Sequence, residues 1–266
     1  MTDKVTIECA GHVAHVRLNR PDKLNALDPA MFEGLNEAPA RVRSMDDVRA
    51  VVLSGAGSSF CAGLDVSSFL SAPGFAERAF EPVPDTAANV AQYAALGLRS
   101  LDVPVVAAVT GRCFGGGLQI ALGADFRFAS PDAQLSVMEI KWGIVPDMGI
   151  TQTLRDLLPL DQAKELAMTG RVVDAAEAQR LGLVTRVCDD PVAEALAFAG
   201  ALAERSPDAI SGIKTLFDGA WHADAAEALA LEASTQKSLL GHPAQMEAAR
   251  AVFEKRAPVF APRRRS

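Results

Sequence analysis

The sequence predicts an α/β chain, with repeated strand, glycine-turn and helix units followed by an all-helical region. Three observations carry the prediction. Val5–Cys9 and Val13–Leu18 alternate apolar and polar residues around Ala10-Gly11, the period-two pattern of a hairpin. Two β-branched apolar runs, Val48–Leu53 and Val103–Val109, each lead into a glycine-rich turn, as buried strands do when they feed a helix. From about Asp190 the pattern is Ala-rich and helical throughout.

In chain order, Asp28-Pro29 opens a helix with a capping carboxylate and a proline at the first position. Phe32, Leu35 and Val42 share one face of it, and Pro39 is expected to kink or shorten it. Strand–turn–helix units then recur around Val51, Val106 and Phe126. Ser71–Asp85, rich in Pro, Ala, Gly and Phe without periodicity, is expected to be a mobile loop. Four terminal helices are predicted over Pro191–Glu204, Pro207–Trp221, Ala223–Leu240 and Pro243–Lys255, each near a helix-start signal. The chain therefore divides into a core, 1–190, and a helical region, 191–266.

Bulk properties exclude several function classes. A chain of 266 residues can bury one large core. Its net charge of −7 argues against a nucleic-acid partner, so any phosphate site must be a local basic patch. No apolar run approaches the ~20 residues that span a bilayer, and Met1-Thr-Asp-Lys4 runs directly into a strand pattern without a secretory leader. The cysteines Cys9, Cys61, Cys113 and Cys188 have neither metal-ligand nor disulfide-framework spacing, which points to a reducing, cytoplasmic setting. Cys61 and Cys113 are read as packing residues rather than nucleophiles. The histidines His12, His15, His222 and His242 are scattered, no Gly-x-Ser-x-Gly elbow is present, and Arg263–Ser266 reads as a solvated terminus.

The glycine turns carry the chemistry. Gly111-Arg-Cys-Phe-Gly-Gly-Gly-Leu-Gln-Ile-Ala-Leu-Gly-Ala-Asp125 places a glycine triplet at a helix start, where backbone N–H groups lack intrahelical partners. Without Cβ atoms a ligand can approach those amides closely. Phosphate-loop and dinucleotide fingerprints are incomplete here, while tight helix–strand packing accounts for one or two of the glycines. A second turn, Ser54-Gly-Ala-Gly-Ser-Ser-Phe-Cys-Ala-Gly-Leu-Asp65, follows the other buried strand. Two such turns side by side could each offer one amide to one oxygen, the requirement of an oxyanion hole.

At this point the chain resembles the crotonase superfamily, the enoyl-CoA hydratase/isomerase family. The resemblance rests on Ser59-Phe-Cys-Ala-Gly-Leu-Asp65, Gly111…Gly115-Gly-Gly…Asp125, Glu139…Gly143-Ile-Val-Pro146 and Thr169-Gly-Arg…Ala175…Ala178…Gly182-Leu-Val184. Asn19-Arg-Pro…Asn25-Ala-Leu27 and Phe253-Glu-Lys-Arg…Pro258-Val-Phe260 match its terminal signatures. It implies a crotonase-like spiral of ββα units, a C-terminal helical region that builds trimers or hexamers, and an acyl-CoA thioester as substrate. By resemblance the Leu64 and Gly116 amides form the oxyanion hole, and losing one such donor costs ~3–4 kcal/mol of transition-state stabilisation. The CoA contacts it implies are Lys23, Leu24, Ala62, Asp65, Val66 and Ser67, with Lys255 and Phe260 available to a neighbouring subunit. The acyl pocket would lie within Ser68–Tyr93.

The family's hydratases split water between two glutamates. This sequence keeps Glu139 but carries Gln119 at the other position, and an amide has no titratable proton. Asp147 stands where the family's dienoyl-CoA isomerases carry an aspartate, although those enzymes also have an aspartate in place of Gln119. The resemblance thus implies Glu139 as the acid/base, Asp147 as a proton relay and Gln119 as an orienting group, with no metal and no cofactor beyond the CoA moiety. Double-bond isomerisation is favoured; hydration of a 2-enoyl-CoA and a non-catalytic acyl-CoA-binding role are the alternatives. The plainer readings are a turn residue for Asp147, a salt bridge to Lys141 for Glu139 and a polar helix position for Gln119.

Overall fold

A computed structural model of the chain describes residues 4–261, so the Arg263–Ser266 tail and Met1–Asp3 lie outside the described residues. The strands are β1 (Val5–Ala10), β2 (Val13–Leu18), β3 (Ala50–Gly55), β4 (Val105–Val109), β5 (Arg112–Phe114), β6 (Phe126–Ala129), β7 (Gln134–Ser136), β8 (Val173–Asp174) and β9 (Arg186–Val187). The core helices are α1 (Pro29–Arg43), α2 (Val66–Leu70), α3 (Phe75–Ala79), α4 (Val90–Leu96), α5 (Gly116–Leu122), α6 (Ile150–Thr153), α7 (Leu160–Thr169) and α8 (Ala175–Leu181). The closing helices are α9 (Pro191–Ala203), α10 (Pro207–Ala220), α11 (Ala225–Leu239) and α12 (Pro243–Glu254). Their bounds fall within two residues of those read from the sequence.

The strands form one sheet ordered β1-β2-β3-β4-β6-β9 and a second ordered β5-β7-β8. Only the β1–β2 hairpin is antiparallel in the first sheet, turning through Gly11 at φ +57°. Successive passes of the chain feed both sheets, with β4 and β6 entering the first and β5 and β7 the second. This is the expected ββα spiral. Its consequence is that the turns after β3 and β4 emerge at the same end of neighbouring parallel strands.

Alternation along the parallel strands divides the interior. Val51, Leu53, Val105 and Ala107 face the main core, while Ala50, Val52, Val106 and Ala108 face a second core closed by Ala195, Ala199 and Ala203 of α9. Alanines four apart give α9 a smooth stripe that lies close against the sheet. The helix after residue 190 is thus part of the core packing. By contrast α11 buries no side chain, and Phe217, Trp221, Leu229, Met246 and Phe253 remain exposed on the closing helices.

Two expectations need correction. Pro39 does not shorten α1, which starts with Asp28 accepting the Met31 N–H at 2.8 Å and runs to Arg43. The ring is buried and fills the space of a missing side chain, since a Cβ on Gly97 would lie 2.8 Å from Pro39 Cγ. Nor is Ser71–Asp85 simply an unstructured loop. It contains α3, pinned by Phe75, whose ring packs 5.4 Å from Phe32 and 5.3 Å from Phe69 between centroids. Aromatic burial supplies what the local sequence lacks in periodicity.

Candidate active site

The two glycine turns are locked against each other by main-chain bonds and absent side chains. Cys61 N–H donates to Arg112 O at 2.9 Å, and Phe114 N–H donates to Cys61 O at 3.0 Å. A Cβ on Gly63 would lie 2.9 Å from Phe114 O, and one on Gly117 would lie 2.5 Å from Cys61 O. Both contacts forbid a side chain, so glycine is what allows α5 to begin beside the turn carrying Leu64. Leu27 N–H donates to Gly63 O and Leu27 O accepts from Asp65 N–H, at 2.8 and 2.9 Å. In that parallel bridge Leu64 itself turns its N–H away from Leu27. The structure therefore brings the Leu64 turn and the Gly115–Gly116 start of α5 together.

Glu139 opens a short 3₁₀ turn and is 7% exposed, while Gln119 on α5 is 1% exposed. Gln119 Nε2 donates to Glu139 Oε1 at 2.6 Å, and Gln119 Oε1 accepts the Met148 N–H at 2.8 Å. Glu139 Oε2 is buried with no partner among the described residues. A Cβ on Gly115 would lie 3.4 Å from Glu139 Oε1, so the carboxylate sits against the first glycine of the triplet. Neither a Lys141 salt bridge nor a solvated helix position describes these two residues.

Burial pushes the Glu139 carboxyl above its ordinary range; the Asp147 charge adds to this, and the Gln119 bond opposes it. Asp147 stands at the rim with its residue exposed, and desolvation of its carboxyl lifts it as well. A raised carboxyl beside a second carboxyl is the arrangement expected of acid–base chemistry.

The residues implied as CoA contacts fall into two groups. Lys23 lies exposed on a 3₁₀ turn, followed by Leu24 at φ 49°, and Ala62 N–H donates to Leu24 O at 2.9 Å. Lys23, Leu24, Ala62, Asp65, Val66 and Ser67 thereby share one wall next to the Leu64 turn. The Asp65 carboxylate is itself occupied, accepting from Arg20 Nη1 at 2.8 Å, Ser67 Oγ at 2.7 Å and Ser68 Oγ at 2.8 Å. These bonds hold it well below the usual carboxylate range, those of Ser67 and Arg20 foremost. Phe260 lies elsewhere, its carbonyl accepting from Arg49 Nη2 at 2.9 Å at the opposite end of β3. Within one chain, this closing segment and the exposed Lys255 before it do not join the site.

Sequence reasoning missed Arg20 and Asn25 as the ties of this wall. Asn25, fully buried at φ 56°, donates from Nδ2 to Ala56 O and Ser59 O and accepts the Arg20 N–H, each at 2.8 Å. Arg20 spans Asp65 and Asp28 with side-chain exposure of only 10%. The available signal was an asparagine, the residue type besides glycine that most readily takes a left-handed conformation.

Cys61 and Cys113 are buried, and desolvation raises both thiols, that of Cys61 to about 12. Alkylation of the native protein is expected to modify the exposed Cys9 and leave both inner cysteines intact until unfolding, as peptide mass mapping would read. Labelling of Cys61 at the Cys9 rate would contradict a packing role. No group of three metal-ligating side chains occurs among the described residues, nor any helix long and apolar enough to cross a membrane.

Comparison with known proteins places the chain in a family. The family model for enoyl-CoA hydratase/isomerase matches residues 8–263. The chain is 36% identical over 218 residues to (E)-benzylidenesuccinyl-CoA hydratase of Thauera aromatica, covering 79% of this chain and 80% of that protein. It is 34% identical over 221 residues to the mitochondrial Delta(3,5)-Delta(2,4)-dienoyl-CoA isomerase of Mus musculus, covering 76% and 64%. The crystal structure of an enoyl-CoA hydratase from Bacillus anthracis superposes with a TM-score of 0.89 at 29% identity, covering 97% of this chain and 99% of that one. With its interlocked glycine turns, two-sheet spiral and full-length family match, this chain belongs to the enoyl-CoA hydratase/isomerase family of the crotonase superfamily.

Proposed function

We propose that this enzyme shifts a double bond along the acyl chain of an enoyl- or dienoyl-CoA by moving a proton. The observation that carries the reading is the Gln119–Glu139 pair: a neutral amide holds the only buried carboxylate among the described residues. Glu139 takes a proton from an acyl carbon, breaking C–H and forming O–H, while the electron pair moves onto the thioester oxygen. The Leu64 and Gly116 amides hold that oxygen as charge develops. The proton then returns to a different carbon, with Asp147 as relay, and no electrons are gained or lost. The wall from Lys23 to Ser67 would hold CoA. Lys255 and Phe260 would complete the site from a neighbour in a trimer or hexamer, whose interface the exposed apolar residues of the closing helices suit. We place the enzyme in the cytoplasm.

The test is incubation with 3-enoyl-CoA probes in deuterated water. Conversion to the conjugated isomer with deuterium uptake is expected, and absence of both across chain lengths would overturn the reading. Hydration of a 2-enoyl-CoA is the second reading, favoured by a 36% identical relative named as a hydratase. Rapid loss of the conjugated thioester absorbance of crotonyl-CoA would select it.

A further inference from the structure

We infer that Gln119 is a strut between the two proton-carrying carboxylates, its carbonyl end fixed on the peptide that follows Asp147 and its amide end on Glu139, so that Glu139 Oε2 alone meets substrate. The inference rests on the isomerase reading and adds a positioning residue to it. Its orientation is dictated by its partners. The Met148 N–H can only donate, so the Gln119 atom facing it at 2.8 Å must be the carbonyl oxygen. Nε2 then faces Glu139 Oε1 at 2.6 Å, and it can only donate. Both ends lie away from water, where a bond is neither screened nor readily exchanged. One lone pair of the Gln119 oxygen and one of its two amide N–H groups are thus spent within the protein.

The strut also sets how many protons the resting site holds. Its amide donates to the ionised form of Glu139, against burial and the nearby Asp147, the charged group that bears on it. A carboxylate at position 119 would still accept from Met148, but would face Glu139 with a second anionic oxygen. Two carboxylates that close share one proton. With glutamine there is no second carboxylate at 119 to share the Glu139 proton.

Gln119→Leu, which keeps the volume and loses both bonds, and Gln119→Glu, which keeps the Met148 bond, test this together. Isomerisation of a 3-enoyl-CoA probe is followed against pH, and each unliganded variant is crystallised. For Gln119→Leu, kcat is expected to fall about 30- to 100-fold with KM nearly unchanged, the cost of a misplaced base. The ascending limb of kcat/KM moves to higher pH, and further still in Gln119→Glu because a shared proton must leave first. In the Gln119→Leu crystal the Glu139 carboxylate and the segment 145–149 are displaced. A kcat and pH limb within twofold of the parent, or both groups unmoved in the crystal, overturns the strut. If Gln119→Leu does not fold, an unmoved limb in Gln119→Glu overturns it. If the parent isomerises no probe, the isomerase reading fails and the crystals alone decide the strut.

Discussion

Glu139→Gln is expected to lower isomerisation by about 10²–10⁴-fold, the range supplied by a positioned acid–base group, without destabilising the protein. The two effects share one cause. Glu139 is buried beside Gly115 and Gln119, and a glutamine there can still accept from Gln119 Nε2 through its carbonyl. The shape is kept and only the proton-carrying function is lost. Because the folded-state pKa is raised, chiefly by burial, the protonated form is the one folding favours. That contribution is fully present below the ordinary glutamate value and is lost as pH rises through the raised one. At neutral pH the parent therefore carries a buried carboxylate at some cost, and the variant should unfold at the same temperature or higher. The difference should shrink towards pH 4, as thermal melts at several pH values would register. In the parent, kcat/KM should rise with pH along a limb displaced above the usual carboxylate range. Asp147→Asn should move that limb back towards acid, since it removes a like charge near Glu139. Activity in Glu139→Gln within tenfold of the parent would refute the base assignment.

Asn25→Ala is expected to lower unfolding free energy by about 3–5 kcal/mol and to weaken acyl-CoA binding at the same time. One side chain satisfies three backbone groups, the Arg20 N–H and the carbonyls of Ala56 and Ser59. Alanine would strand the buried Arg20 N–H and Ser59 O and the partly buried Ala56 O, at about 1–3 kcal/mol for each buried group. It would also place a Cβ without a compensating side-chain bond at φ 56°. The bonds join the segment bearing Lys23 and Leu24 to the turn that leads to Leu64, so KM for the CoA ester should rise with the loss of stability. Denaturant melts and a KM measurement read both. Asn25→Asp keeps the acceptor for Arg20 but turns a carboxylate oxygen on the carbonyls of Ala56 and Ser59, and should cost at least as much as alanine. Loss of less than 1 kcal/mol in Asn25→Ala would show that the wall is held otherwise.

Much of the architecture was legible because it is written locally. Hairpin alternation, capping Asp28, proline starts at Pro191, Pro207 and Pro243, and the two buried runs before glycine turns each act over a few residues. Pro39 and Ser71–Asp85 misled for the opposite reason: the ring is accommodated by Gly97 and α3 is held against Phe32, partners distant in the chain. The site divides in the same way. Residue types at 119, 139 and 147 could be read directly, whereas the donor and acceptor ends of Gln119 depend on a peptide at Met148.

By itself the amino-acid order determined the α/β class, the succession of hairpin, buried strands and closing helices, and the presence of a glutamate at 139 and a neutral amide at 119. Local propensity and side-chain chemistry need no neighbours to be expressed. Only the tertiary structure decided that Gln119 is spent on Glu139 and Met148, that Asn25 and Arg20 tie the wall beside Leu64, and that Phe260 lies at the far end of β3. Those outcomes are hydrogen bonds between residues far apart in sequence, and their geometry exists only once the chain has closed its sheets.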